Sequence, residues 1–95
     1  MPGPLEGINV VDFTIFINGP SATGQMCEQG ATVLKVEPKS GDAMRLAAGG
    51  TGVYSAGFEL YNRGKLSMTL DMKHPKAKDI MKRLVKWADV LTENF

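Results

Sequence analysis

The chain has 95 residues, 43% of them hydrophobic and 22% charged, with 11 basic residues against 10 acidic ones for a formal charge of +1. This is the composition of an ordinary soluble globular protein; it excludes a disordered chain and any global field that would draw nucleic acid or an acidic surface. No apolar run approaches the ~18 residues of a membrane span, and a domain this small buries only about 60–65% of the surface its unfolded chain exposes, which makes its core marginal.

Residues 1–6 hold Pro2 and Pro4 and read as an extended lead-in, without the basic segment and apolar core of a secretory signal. Ile8, Val10, Val11 and Phe13 then form a short apolar run with little alternation, and Val33, Leu34 and Val36 form a second. Strands buried on both faces of a parallel sheet look like this. Between the two runs Gly19 can cap a helix, Pro20 suits its first position, and Gly30 can take the left-handed conformation that ends it. The stretch from Gly7 to Glu37 is therefore one βαβ unit.

After Glu37 the periodicity stops. Pro38-Lys39-Ser40-Gly41-Asp42 is turn chemistry, and Gly49, Gly50, Gly52 and Gly57 punctuate a connection of roughly twenty residues, long for a compact domain and therefore read as a binding loop or a segment ordered by a missing partner. From Leu66 a period of two returns, with Leu66, Met68 and Leu70 on one face, as in a half-buried strand. His74-Pro75 opens a helix whose Ala77, Ile80, Met81, Leu84 and Ala88 fall on one side, and Val90-Leu91 begins a fourth strand that ends at Thr92-Glu93-Asn94-Phe95. The expected fold class is α/β, with Rossmann-like βαβ units and a mostly parallel sheet. Two helices cover four strands only in part, so the chain reads as an incomplete domain that self-associates or is marginally stable alone.

Each candidate for chemistry is weighed against a plainer role. The βαβ unit with acidic Glu37 closing its second strand has the outline of a dinucleotide site, but Gly19 and Gly24 do not supply the G-x-G-x-x-G triplet. The amino end of the first helix, with Ser21 and Thr23, could hold an anion, as every helix can. The apolar Phe16 and Ile17 in the loop before it are more telling, because strand-to-helix loops at the carboxyl end of a parallel sheet are where open α/β proteins bind ligands. Lys35, Lys39, Arg45, Arg63 and Lys65 are basic residues around the long connection. The Asn62-Arg63-Gly64-Lys65 turn among them places an amide, a guanidinium and an ammonium about a flexible glycine, a plausible grip on phosphate. His74 reads as a helix cap, Cys27 as packing, and the methionines as core. One histidine and one cysteine give no grounds for a metal site. The single cysteine also excludes an internal disulfide and fits a reducing compartment, so cytoplasm is the expected location. The Arg-poor start argues against a mitochondrial transit peptide, although loss of one from a longer precursor is compatible with it.

Taken together, Pro4-Leu5-Glu6-Gly7-Ile8, Val11-Asp12-Phe13-Thr14, Gly19-Pro20-Ser21-Ala22-Thr23, Val33-Leu34-Lys35-Val36-Glu37-Pro38 and Gly41-Asp42 with Arg45 resemble the start of the class III (CaiB/BaiF) coenzyme A transferases. The resemblance continues through Asn62-Arg63-Gly64-Lys65, Leu70-Asp71-Met72-Lys73-His74-Pro75 and Ala88-Asp89-Val90 to Glu93-Asn94-Phe95, and so covers essentially the whole chain. It implies that residues 1–95 are the N-terminal segment of a Rossmann-like large domain, in an interlocked homodimer that binds coenzyme A and moves it from an acyl-CoA to a carboxylic acid. By the same resemblance a covalent aspartyl intermediate forms on an aspartate downstream of this segment. Asp12, Asp42, Asp71, Asp79 and Asp89 do not correspond to it, so no catalytic residue is expected in this chain and the chain alone is expected to be inactive. Phe16 and Ile17 are implied at the thioester and acyl portion, Asn62, Arg63, Gly64 and Lys65 in a segment contacting CoA, and Asn94 and Phe95 at the start of a loop closing on it.

Three departures qualify this. Pro38 stands where some transferases place an arginine, Leu66 replaces a usual basic residue, and Ile17 replaces the glutamine of formyl-CoA transferase. The last argues against oxalate or formate and for a bulkier or less polar acyl group. An α-methylacyl-CoA racemase relative, and a non-catalytic remnant or CoA-binding module, are the alternative readings.

Overall fold

A computed structural model describes residues 3–46 and 55–95 of the chain. Four strands, β1 (Asn9–Asp12), β2 (Thr32–Glu37), β3 (Leu66–Thr69) and β4 (Val90–Thr92), form one all-parallel sheet in the order β3-β2-β1-β4. Three helices, α1 (Asn18–Glu28), α2 (Ala56–Asn62) and α3 (Ala77–Trp87), connect them. The α/β fold is as expected. The order is that of a doubly wound sheet: the chain moves outward from β1 to β3, then crosses back to β4, leaving a switch point between β1 and β4.

Successive side chains of β1 point to opposite faces, and both faces are covered. Val10 is fully buried with Val33 and Ala31 against Met26 and Cys27 of α1. Val11 is fully buried with Val36, Phe13 and Leu70 against Ile80, Met81 and Leu84 of α3. The unbroken apolar run of β1 follows from this double burial. Edge strand β3 is less covered than its alternation suggests, and Leu66 is 56% exposed, since only Met68 and Leu70 reach the cluster under α3.

Several boundaries differ from expectation. Helix α1 starts at Asn18, with Ile17 in the cap position and no side-chain cap bond. Pro20 is thus its third residue, still within the first turn, where an N–H has no intrahelical partner to lose. Gly30 does end the helix, at φ +103°. The long connection after Glu37 is not a bare loop. It contains a 3-10 turn at Ala43–Arg45 capped by Asp42, and α2 capped by Ser55, whose hydroxyl accepts from the Phe58 N–H. Gly57 lies inside α2, while Gly49, Gly50 and Gly52 fall outside the described residues. Helix α3 begins at Ala77, later than His74-Pro75, and its cap position is Lys76 with no side-chain cap bond, so His74 is not the cap; its Nδ1 accepts the Lys76 N–H at 3.0 Å in the turn before the helix.

Gly24 has a packing role. A Cβ there would lie 2.8 Å from the Tyr61 carbonyl oxygen of α2, so α1 and α2 meet through a glycine.

At the carboxyl end of β1, Asp12 is fully buried. Its carboxylate accepts from the N–H and hydroxyl of Thr14, from the Thr23 hydroxyl at 2.7 Å, from the Thr92 hydroxyl at 3.3 Å and from Lys65 Nζ at 3.0 Å. Burial would push this carboxyl up, but the Thr14 and Thr23 hydrogen bonds and the Lys65 charge outweigh it and hold Asp12 below its ordinary 3.8. Burial in turn lowers Lys65 from its ordinary value, against the opposing pull of Asp12.

Two measurements check this packing. Gly24→Ala should destabilise the chain by about 1–3 kcal/mol in urea melts by overpacking, although the gain in helix propensity alone would favour Ala by about 1 kcal/mol; a net stabilisation would mean that the close helix contact is not made. Thr23→Val should cost about 1.5–3 kcal/mol at neutral pH, as for a lost hydrogen bond to a charged group. Because the folded value of Asp12 is depressed, its stabilisation is complete above the unfolded value and is lost as pH falls through the folded one. The gap between wild type and Thr23→Val should therefore narrow below about pH 4; a gap that does not change with pH would contradict this assignment.

Candidate functional site

The loop from β1 to α1 crosses the carboxyl end of the sheet beside the switch point, where doubly wound proteins bind ligands. Its three consecutive backbone N–H groups are held by side-chain acceptors from three different parts of the chain. Thr14 N donates to Asp12 Oδ1 at 2.9 Å, Ile15 N to Asn94 Oδ1 at 3.0 Å, and Phe16 N to Asp42 Oδ1 at 3.1 Å. Asn94 also donates its Nδ2 to the Ile15 carbonyl at 2.9 Å, so its amide clasps Ile15 in both directions. Lys35 Nζ donates to the Thr14 carbonyl at 3.0 Å.

So restrained, the loop places Phe16 at φ +66°, the one positive φ outside glycine among the described residues. A bulky L-residue in the left-handed region costs about 1–2 kcal/mol and persists only where its surroundings over-determine it. Phe16 and Ile17 stay 45% and 49% exposed, facing outward from a rigid backbone.

Behind Phe16 lies a second buried ionic cluster. Lys35 Nζ is 2.9 Å from Asp42 Oδ2, an ion contact in which that oxygen accepts no aligned hydrogen bond. The Asp42 N–H donates to Glu37 Oε2 at 2.7 Å, and Arg45 grips the same carboxylate with two bonds, Nε to Oε2 at 2.8 Å and Nη2 to Oε1 at 2.7 Å. The Arg45 guanidinium stacks on the Phe58 ring at 3.8 Å, which ties the 3-10 turn to α2. Burial opposes ionisation of Glu37, but the Arg45 and Asp42 hydrogen bonds prevail and keep its carboxyl below the ordinary range. The Glu37 hydrogen bond raises Arg45.

Next to the loop, Phe13, Ile15, Val36, Glu37, Pro38, Leu70, Met72 and Phe95 line a mostly apolar cavity of about 220 Å³. All of these residues lie at or just beyond strand carboxyl ends. Phe95, 87% exposed, stands at its mouth. Lys39, which follows Pro38, is exposed and 3.4 Å from Asp71. Asp71, whose carboxylate accepts the Lys73 N–H, precedes Met72.

The structure thus gathers Phe16, Ile17, Asn94 and Phe95 at one end of the sheet. It does not bring the Asn62-Lys65 turn there. The Lys65 side chain is 1% exposed, and its three ammonium protons are spent on Asp12, the Pro20 carbonyl at 3.2 Å and Asn62 Oδ1 at 2.7 Å. Asn62 is buried, its Nδ2 donating to the Phe58 carbonyl. Arg63 and Gly64 instead line a groove of about 630 Å³ at the amino end, with Cys27, Glu28, Thr32 and Leu66. The buried roles of Asp12, Asp42, Glu37 and Arg45 escaped the sequence reading, although Gly41-Asp42 capping a turn three residues before Arg45 was a signal for them. Among the described residues no three His, Cys, Asp or Glu side chains gather as a metal set, and no helix is long and apolar enough to cross a membrane.

Comparison with known proteins gives this geometry a family. The chain is 42% identical over 97 residues to a formyl-CoA:oxalate CoA-transferase of Bradyrhizobium sp. (strain ORS 278), covering all of this chain and 23% of that protein. It is 38% identical to a succinate–glutarate CoA-transferase of Agrobacterium fabrum, covering 97% of this chain and 25% of the relative. The chain therefore spans about a quarter of the length of these relatives. A crystal structure of a CaiB/BaiF family protein from Brucella suis superposes on it with a TM-score of 0.90 at 36% identity, over the whole of this chain and 26% of that one. With residues 5–95 matching CoA-transferase family III, the chain belongs to that family.

Proposed function

We propose that residues 1–95 are the CoA-binding front of an acyl-CoA:carboxylate CoA-transferase, and that the ligand lies across the carboxyl end of the sheet. The observation that carries this reading is the clasped β1–α1 loop beside an apolar cavity at the carboxyl end of the sheet. At about 220 Å³ the cavity is smaller than the ~300–1,000 Å³ that encloses a drug-sized ligand, so it suits one flat end of CoA, the adenine, against Phe95, Pro38 and Met72. Lys39 and Lys73, which follow the lining residues Pro38 and Met72 in the chain, suit the phosphates. Phe16 and Ile17 would then meet the pantetheine arm and the acyl group. With no amide at position 17, that end suits a less polar acyl group than formyl.

Transfer of CoA between two carboxylates conserves the thioester if it passes through a covalent enzyme carboxylate. In this reading an aspartate outside the segment attacks the acyl-CoA carbonyl, expelling the CoA thiolate and leaving a mixed anhydride. The thiolate then attacks the aspartyl carbonyl of the anhydride and expels the first carboxylate; the second carboxylate attacks the resulting aspartyl-CoA thioester and expels the thiolate again, and the thiolate attacks the acceptor carbonyl of this second anhydride to give the new acyl-CoA and free aspartate. This segment binds and orients, and a homodimer and the rest of the transferase complete the site. The names of the relatives favour transfer over racemisation.

Calorimetric titration tests the placement. Replacing Lys39 and Lys73 with Ala should weaken CoA binding by about 3- to 10-fold, the effect of roughly 0.7–1.4 kcal/mol, and flatten its salt dependence. Arg63→Ala should leave it unchanged. The reverse pattern would move the ligand to the amino-end groove. The purified 95-residue chain should show no CoA exchange between acyl-CoA and carboxylate, and measurable turnover would contradict a nucleophile outside the segment.

A further inference from the structure

Among the described residues the Phe16 N–H has one acceptor, Asp42 Oδ1, from a turn 26 positions further along the chain. The same oxygen accepts the Met44 N–H at 2.9 Å and so caps the 3-10 turn. Asp42 is itself fixed on every side: its N–H is taken by Glu37, its second oxygen faces Lys35 at 2.9 Å, and Arg45 holds Glu37 in place. An aromatic residue at positive φ has no local reason to stay there, since its own sterics favour the right-handed or extended regions. The restraint must come from outside the loop, and Asn94 holds only the preceding residue.

We propose that Asp42 is a positioning residue: by holding the Phe16 N–H it keeps Phe16 left-handed and fixes where the ring is presented to the acyl end of the ligand. The role in ligand choice rests on the reading of Phe16 and Ile17 as the acyl end, while the conformational role does not. The Lys35-Asp42 and Glu37-Arg45 pairs act on the Phe16 N–H through this one hydrogen bond, while Lys35 also holds the loop directly at the Thr14 carbonyl. The 3-10 turn and Phe58 thereby become the backing of a specificity loop.

NMR of the 95-residue chain tests the conformational role without any ligand. A strong intraresidue HN–Hα cross-peak marks positive φ at Phe16, and amide exchange reports its hydrogen bond. Asp42→Ala should abolish the mark and speed exchange at Phe16 by at least about tenfold, while Ile15, held by Asn94, changes by less than about twofold. Asp42→Asn, which keeps an oxygen for both N–H groups but loses the charge facing Lys35, should retain the mark. A left-handed Phe16 in folded Asp42→Ala, its loss in folded Asp42→Asn, or its absence from the unsubstituted chain would each overturn the proposal. Should Asp42→Ala fail to fold, the other two decide.

Titration with acetyl-CoA and CoA tests the role in choice. Asp42→Ala should change the ratio of the two affinities by about threefold or more while CoA alone stays within about twofold, and Asp42→Asn should restore the ratio. Equal weakening of both ligands would overturn this role. If neither ligand binds the unsubstituted chain, the CoA reading fails, and the NMR result stands by itself.

Discussion

A buried carboxylate at the end of the central strand is the constraint on which the rest depends. Asp12 has no exposure to water, and its charge survives only because five donors from four residues converge on it. Those donors lie on the β1–α1 loop, on α1, on β4 and just before β3, so satisfying one charge fixes four pieces of chain relative to one another. A pair of this kind is weak evidence of net stability, because desolvation offsets much of the attraction. Removing one partner is another matter: it leaves an uncompensated charge at a cost of about 3–5 kcal/mol, against a total of about 5–15 kcal/mol for a typical domain. The gain is in uniqueness of arrangement.

That arrangement separates the two ends of the sheet by role. At the carboxyl end, Asp12, Asn94 and Asp42 each take one N–H of a three-residue stretch, and the loop has little freedom left. Apolar side chains can then project toward a ligand from a fixed backbone, which lowers the ordering cost of binding. Lys65, which on sequence alone resembles a phosphate ligand, is spent on building this end, reaching from the start of β3 to the finish of β1. Arg63, two residues earlier, stays at the other end beside Cys27 and Glu28.

Much of the fold was legible because burial writes itself into β1 and β2: a strand covered on both faces shows Val10-Val11 and Val33-Leu34 without alternation. Helix α3 was legible from its apolar stripe, and the end of α1 from Gly30. Helix α2 was missed because seven residues containing Gly57 give too short a pattern to show a period; its one clear mark was the Ser55 cap. Of the site, Phe16, Ile17, Asn94 and Phe95 came from sequence, and the structure adds that they share one end. The inward turn of Lys65 and Asn62 was not legible, since a lysine beside a glycine reads the same whether its ammonium meets solvent or a carboxylate 53 positions away. The cavity under Phe95 was equally hidden, because Phe13, Pro38, Leu70 and Met72 are scattered along the chain and meet only through strand order.

In the function proposed for this chain, one end of the sheet, and not the other, receives CoA. Amide hydrogen exchange along the whole chain, with and without CoA, tests it most directly. With CoA at the carboxyl end, added protection should be confined to the β1–α1 loop and to residues 37–39, 70–73 and 94–95. Protection centred instead on residues 28–33 and 63–66, at the amino-end groove, would contradict it.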